Sequence, residues 1–132
     1  MLFLPDTNVI SAYFQQRDAG LARKFSAAFP DLRLSILVLA ELEYGAAKSG
    51  VARHRSRLDG LLANVAIEPF GAEDSRCYGE LRADLERRGK IIGTMDTLIA
   101  AQALRLGATI VTHNLREFSR VSGLKIADWQ SP

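Results

Sequence analysis

Cysteine is almost missing from this sequence. One residue, Cys77, in a chain of 132 excludes an internal disulfide and any zinc site built on cysteines. No apolar run approaches the length that crosses a bilayer, about 18–20 residues. The opening Met1-Leu2-Phe3-Leu4-Pro5-Asp6 has neither the basic residues nor the long apolar stretch of a secretion signal. Together these absences lead us to expect a protein of a reducing compartment, the cytoplasm, with no membrane partner. No repeat, low-complexity tract or Gly/Pro/Ser-rich linker interrupts the chain, so residues 1–132 read as one domain. There is also little net charge. A value of +2 at pH 7 is too small to announce a nucleic-acid binder.

What is present is a foldable composition, with 48% hydrophobic and 24% charged residues, enough to bury a core and remain unlike a disordered chain. Thirteen of the 17 basic residues are arginine, the side chain whose planar fork best matches a phosphate. They cluster at Arg53, Arg55 and Arg57 and, with a lysine, at Arg87, Arg88 and Lys90. The plain reading of either cluster is a solvated helix face.

The hydrophobic pattern alternates between strand and helix. Short apolar runs at residues 2–4, 32–36, 65–67, 109–112 and 124–126 are placed like strands. Helical spacing predicts helices over 8–15, 19–28, from Val38 to near Gly50, 51–64, 72–88 and 94–106, with Thr94 as an N-cap and Gly107 as a stop. The helix over 94–106 is apolar nearly all round and is expected to be buried. Strands that alternate with helices imply an α/β fold, a central parallel sheet of four to five strands with helices on both faces. In such sheets the chemistry lies beyond the carboxyl ends of the strands.

Four acids fall at those places. Asp6 follows the first strand, and Glu41 lies in the first turns of the helix after the second. Asp96 sits in the first turn of the buried helix, and Glu117 comes five residues after the strand at 109–112. Each has a plain structural reading as well. Asp6 suits a helix N-cap, Asp96 complements a helix dipole, and Glu117 suits a surface. Glu41 is the hardest to explain that way, being set among apolar residues with no cation in reach along its helix. Gathering like charges in a partly buried place is costly unless a cation neutralises them. Oxygen-only ligands favour Mg²⁺ or Mn²⁺ over Zn²⁺.

The segments around these acids carry a resemblance. Asp6-Thr7-Asn8, Glu41-Leu42-Glu43-Tyr44-Gly45-Ala46, Ile92-Gly93 leading to Asp96 with Leu98-Ile99-Ala100-Ala101, and Thr112-His113-Asn114-Leu115-Arg116-Glu117-Phe118 followed by Gly123-Leu124 and Trp129 resemble the PIN-domain ribonucleases. More narrowly, the sequence is similar to the VapC toxins of type II toxin–antitoxin pairs. Two positions depart from that pattern. Pro5 stands where an apolar strand residue is usual and is expected to lie beyond the end of strand pairing, and Glu117 stands where Asp is also common.

The resemblance implies metal-dependent hydrolysis of RNA phosphodiesters, with Asp6, Glu41 and Asp96 as metal ligands and Glu117 serving a second, weaker site or orienting water. It further implies Thr7, Asn8, Thr112 and Asn114 as polar supports, a VapB-type antitoxin as partner, and a homodimer or a toxin–antitoxin hetero-oligomer as the assembly. Enteric VapC toxins, which this chain resembles most, are associated with cleavage of initiator tRNA. His54 and His113 are expected to stand outside the chemistry, since no histidine pair is available for a metal-free acid–base route. Arg53, Arg55, Arg57, Arg87, Arg88, Lys90 and Arg116 are the candidates for gripping RNA. A HAD-like phosphohydrolase needs a second Asp at the position of Asn8, and a receiver domain needs an adjacent acidic pair and a late lysine. A PIN-like nuclease acting on other RNA or on DNA is the nearer alternative.

Overall fold

The computed structural model describes residues 1–132. Five short parallel strands form the centre: β1 (Phe3–Pro5), β2 (Arg33–Ser35), β3 (Ala66–Glu68), β4 (Thr109–Val111) and β5 (Lys125–Ala127). Hydrogen bonding groups them as β1-β4-β5 and β2-β3, all parallel. A single parallel bridge, Phe3 to Leu32, joins the two groups, giving the order β3-β2-β1-β4-β5.

Pairing does not stop at Leu4, as expected, but continues through Pro5, which stands opposite Val111. The reason is directional. In a parallel ladder alternate residues bond to alternate neighbours. The Leu2 carbonyl accepts from Thr109, and the Asp6 amide donates to Val111 at 2.9 Å. Residues 2, 4 and 6 therefore face β4, whereas Phe3 and Pro5 face β2. The missing N–H of Pro5 falls on the side where the β1–β2 ladder ends after one bridge.

Seven helices connect the strands: α1 (Thr7–Gln15), α2 (Ala19–Ala28), α3 (Ile36–Ser49), α4 (Ala52–Leu62), α5 (Ala72–Arg87), α6 (Thr94–Leu106) and the one-turn α7 (Leu115–Phe118). Asp6 and Asp18 cap α1 and α2 by accepting from Val9 and Leu21. Gly50 and Gly107, with φ of 64° and 66°, end α3 and α6 in the left-handed conformation that glycine adopts without a Cβ penalty. Thr94 is not the cap of α6. Gly93 holds that position without a side-chain bond, and the Thr97 hydroxyl donates to its carbonyl at 2.8 Å. Ile36, expected in β2, starts α3, because the Ser35 hydroxyl accepts from Leu37 and opens the helix ahead of Val38. The helix α7 was not expected from the pattern, being too short to show a period.

The core runs along both sides of the sheet, with Leu4, Ile110, Val9, Val38, Leu58, Leu85, Ile99 and Phe118 at 0–1% exposure. α6 is buried as expected from its apolar surface, with Ile99, Ala100, Ala101 and Ala103 inside. No helix is long and apolar enough to cross a membrane. From the first strand the chain steps out to β2 and β3, returns across the sheet to β4, and then steps out the other way to β5. β1 and β4 are thus neighbours whose outgoing connections diverge, and this switch point opens a crevice at their carboxyl ends.

Candidate active site

Asp6 and Thr112 meet in that crevice, 106 residues apart in sequence. The carboxylate of Asp6 is only 7% exposed. Its Oδ1 accepts from the Val9 amide at 2.9 Å, and its Oδ2 accepts from the Thr112 hydroxyl at 2.7 Å. The Thr112 oxygen in turn accepts from the Asn114 amide at 2.9 Å. Asp6 is therefore an N-cap and a site carboxylate together, and its orientation is set by two directed bonds. Burial pushes its pKa above the ordinary value, against the Thr112 and Val9 bonds, and the Glu41 charge adds to the rise.

Glu41 is half-buried in the second turn of α3 and accepts from the Thr7 hydroxyl at 2.6 Å. Asp96 lies in the first turn of α6. The Glu117 carboxylate stands within hydrogen-bonding reach of Asp96, and the charges of Asp6 and Glu41 act on Asp96 as well. Burial first, then Glu117, push Asp96 up to about 6 from 3.8. A proton held there belongs to the Asp96–Glu117 pair. Phe118, fully buried, pins α7 so that Glu117 stays half-buried beside Asp96, and the side-chain amide of Asn114 donates through Nδ2 to Glu117 at 3.2 Å.

All four expected acids are thus brought together. None of them pairs with a lysine, arginine or histidine. No three acidic or histidine side chains close on a common point as a finished coordination shell; hydrogen bonds orient Asp6 and Glu41, and Asp96 lies beside Glu117. The donor set is nevertheless of hard oxygens with an unbalanced negative charge, which fits a divalent cation.

The supporting residues divide. Thr7, Thr112 and Asn114 bond to the carboxylates or to one another, whereas the exposed Asn8 reaches Asp6 only through its backbone N–H. His113 is exposed and not isolated, its Nδ1 lying 3.0 Å from Asp128. Among the arginines expected to grip RNA, Arg55 is already held by Glu43 at 2.6 Å and Asp59 at 2.9 Å. Arg88 is held by Asp84 at 2.8 Å and by the Arg120 carbonyl. Arg53, Arg57, Arg87, Lys90 and Arg116 have no carboxylate partner. One feature had no sequence signal: Arg120 donates to the Ile91 carbonyl at 2.8 Å and so ties the approach to α6 to the turn after α7.

The model of the PIN domain matches residues 3–124. The chain is also 38% identical to ribonuclease VapC2 of Rickettsia felis over 132 residues, 98% of each chain. The chain belongs to the PIN domain family. Within that family it belongs to the VapC ribonucleases, toxin components of toxin–antitoxin pairs, and the HAD-like and receiver alternatives fall away. A second VapC relative, the tRNA(fMet)-specific endonuclease of Shigella flexneri, is 34% identical over 128 residues, 96% of this chain and 97% of that one. This PIN domain superposes with a TM-score of 0.91 on the crystal structure of VapBC2 from Rickettsia felis bound to a DNA fragment from their promoter, at 34% identity, covering 98% of this chain and 100% of that one. The TM-score is also 0.91 on DNA-bound VapBC from Salmonella typhimurium, at 32% identity, covering 98% and 99%. PIN-domain nucleases in general depend on a divalent metal, which agrees with the unpaired acids found here.

Proposed function

We propose that the chain is a Mg²⁺-dependent endoribonuclease that cuts tRNA, initiator tRNA first, in the cytoplasm, and that a VapB-type antitoxin silences it. The observation that carries the reading is the set of four carboxylates at the sheet's switch point with no cation of the protein's own to balance them. Initiator tRNA is favoured by the similarity to a tRNA(fMet)-specific endonuclease.

Asp6, Glu41 and Asp96 are the residues that would hold Mg²⁺, with Mn²⁺ as a chemically equivalent substitute. Such an ion, when bound, polarises a phosphoryl oxygen and lowers the pKa of water. The chain's own groups do the rest. Thr112 and Val9 fix the Asp6 oxygens, and Thr7 fixes one oxygen of Glu41. Glu117, on its short pinned helix, orients the water that attacks phosphorus in line with the departing 3′-oxygen. The new bond joins the water oxygen to phosphorus and the bond to the 3′-oxygen breaks, leaving a 5′-phosphate and a 3′-hydroxyl. Arg53, Arg87, Lys90 and Arg116, free of carboxylate partners, are the basic residues available to offset the repulsion between the acids and the RNA backbone.

Cleavage of labelled initiator tRNA tests this. Asp96→Asn and Asp6→Asn are each expected to lower the rate by about 100-fold or more, the scale of a lost electrostatic contact in the transition state, with an unchanged circular dichroism spectrum. Glu117→Gln is expected to lose less than Asp96→Asn. Undiminished cleavage in excess chelator would refute the metal-dependent reading.

A further inference from the structure

Beside the acids a cleft of about 360 Å³ opens between α1, α3 and α4. Its inner end is Glu41 together with Thr7, the hydroxyl bonded to it. Phe14, Leu42 and Leu58 give it an apolar floor, and its outer rim is polar, with Gln15, His54 and Arg57. The volume lies in the range of sites that enclose small ligands, about 300–1,000 Å³.

Three observations bear on what fills it. Arg57 is half-buried on the rim and has no carboxylate partner, although its neighbour Arg55, two residues earlier on the same helix, is fully engaged by Glu43 and Asp59. An unpaired guanidinium facing a cleft is suited to a phosphate or to the face of an aromatic ring. His54 is tethered through Nδ1 to the Ser49 hydroxyl at 2.9 Å, which leaves Nε2 without a partner. Gly45 lies in the middle of α3, where glycine costs about 1 kcal/mol relative to alanine. A Cβ built there meets nothing within 4 Å, so neither packing nor backbone conformation requires a glycine. The absent side chain keeps the cleft open.

We infer that this cleft is the subsite for one unpaired nucleotide of the RNA, the one next to the phosphate being cut, with its base over Leu42 and Gly45 and its outer phosphate against Arg57. The inference rests on the ribonuclease reading of the acids. A phosphodiester held at those acids carries a nucleotide on each side, and this cleft begins at Glu41 itself. An unpaired base offers a flat apolar face to the floor and hydrogen-bonding edges to His54 and Gln15, the mode by which single-stranded RNA is read. A basic group on the outer rim matches a polyanion that leaves the acid site.

The test is cleavage, with Mg²⁺, of a single-stranded RNA pool randomised on both sides of the cut, followed by sequencing of the products. Wild type, Gly45→Leu, Gly45→Ala and Arg57→Ala are compared. Wild type is expected to prefer particular bases at one position beside the cut. Gly45→Leu, which fills the cleft, is expected to abolish that preference and to raise KM about tenfold, the scale of a lost base-stacking contact. Gly45→Ala serves as the variant with the smallest addition should Leu disturb the helix, and is expected to weaken the preference in the same direction. Arg57→Ala is expected to raise KM with the base preference retained. If wild type cuts initiator tRNA but nothing in the pool, the cleft does not read a single unpaired nucleotide and the subsite is overturned; if it cuts neither, the ribonuclease reading fails and the subsite with it. If wild type cuts and all three variants keep its KM and base preference, only the subsite is overturned. Loss of antitoxin binding by the variants with RNA cleavage unchanged likewise overturns it and assigns the cleft to the protein partner.

Discussion

Asp96 shows how a single residue reports on the whole site. Its pKa is raised from 3.8 to about 6 by burial and by Glu117, Asp6 and Glu41. The folded protein therefore binds more protons than the unfolded chain between those two values. Stability falls as pH rises through that window, and the full penalty is present above about pH 6. The metal-free protein is expected to melt at a higher temperature near pH 5 than near pH 7.5. Proton and cation compete for the same oxygens, so Mg²⁺ is expected to raise the melting temperature more near pH 7.5 than near pH 5. Asp96→Asn, which keeps the shape and removes the charge, is expected to raise the metal-free melting temperature at the higher pH. Scanning calorimetry decides this, and an equal Mg²⁺ gain at both pH values would place the ion away from Asp96.

At the scale of elements, the helices that carry the acids depend on contacts that touch none of the acids. Asp74, 1% exposed in the first turn of α5, accepts from Arg105 of α6 at 2.6 and 3.0 Å and from the Gly71 amide at 2.7 Å. Arg105 also reaches Glu68 at the end of β3, which pairs with Arg33 of β2. One guanidinium thus ties α5 and α6 to the β2–β3 half of the sheet. Gln102 of α6 adds two bonds, to the carbonyls of Glu68 and Pro69. Arg105→Ala leaves Asp74 buried with only a backbone partner. The expected loss is about 2 kcal/mol, below the usual cost of breaking a buried pair because Arg105 is partly solvated. A urea titration measures it, and a change below about 0.5 kcal/mol would mean that water replaces the guanidinium without cost.

Over the whole molecule, a net charge of +2 conceals a division between spent and available cations. Binding of RNA to the cleavage-deficient Asp96→Asn protein is expected to weaken with salt at a log–log slope of roughly −0.7 per phosphate neutralised. Replacing Arg87 and Lys90 together by Ala is expected to flatten that slope, since neither has a carboxylate partner and both flank the turn that Arg88 ties to Arg120. Arg55→Ala is expected to leave the slope unchanged, because Glu43 and Asp59 already match its charge. Equal effects from both changes would show that local neutralisation does not govern RNA binding. At the far end of the chain, Trp129 packs edge-on against Phe25 and Phe3, with ring centroids at 6.2 and 5.2 Å. Ser131 donates to Asp18, the cap of α2. These contacts fasten the C-terminal residues to β1 and α2.

The alternation of strand and helix, the helix over Ala19–Ala28, and the ends of α3 and α6 at Gly50 and Gly107 were all readable from the sequence alone. They depend on interactions within one or two turns, where spacing and residue type suffice. The positions of Asp6, Glu41, Asp96 and Glu117 were readable for a related reason, since a parallel sheet sends the ends of its strands to one edge. Only the folded chain decided that β1 lies between β2 and β4, that Pro5 pairs while its missing N–H faces a gap, and that Thr112 reaches Asp6 across 106 residues. It also decided which arginines remain available. Asp59, four residues on, marks Arg55 as a helix ion-pair partner in sequence, but only the fold brings Glu43 of α3 to it and opens Arg57 onto the cleft. Such outcomes depend on the rotation of one helix against another and on the side of a ladder to which a residue points. Both are set by packing between segments far apart in the chain, for which the local sequence carries no signal.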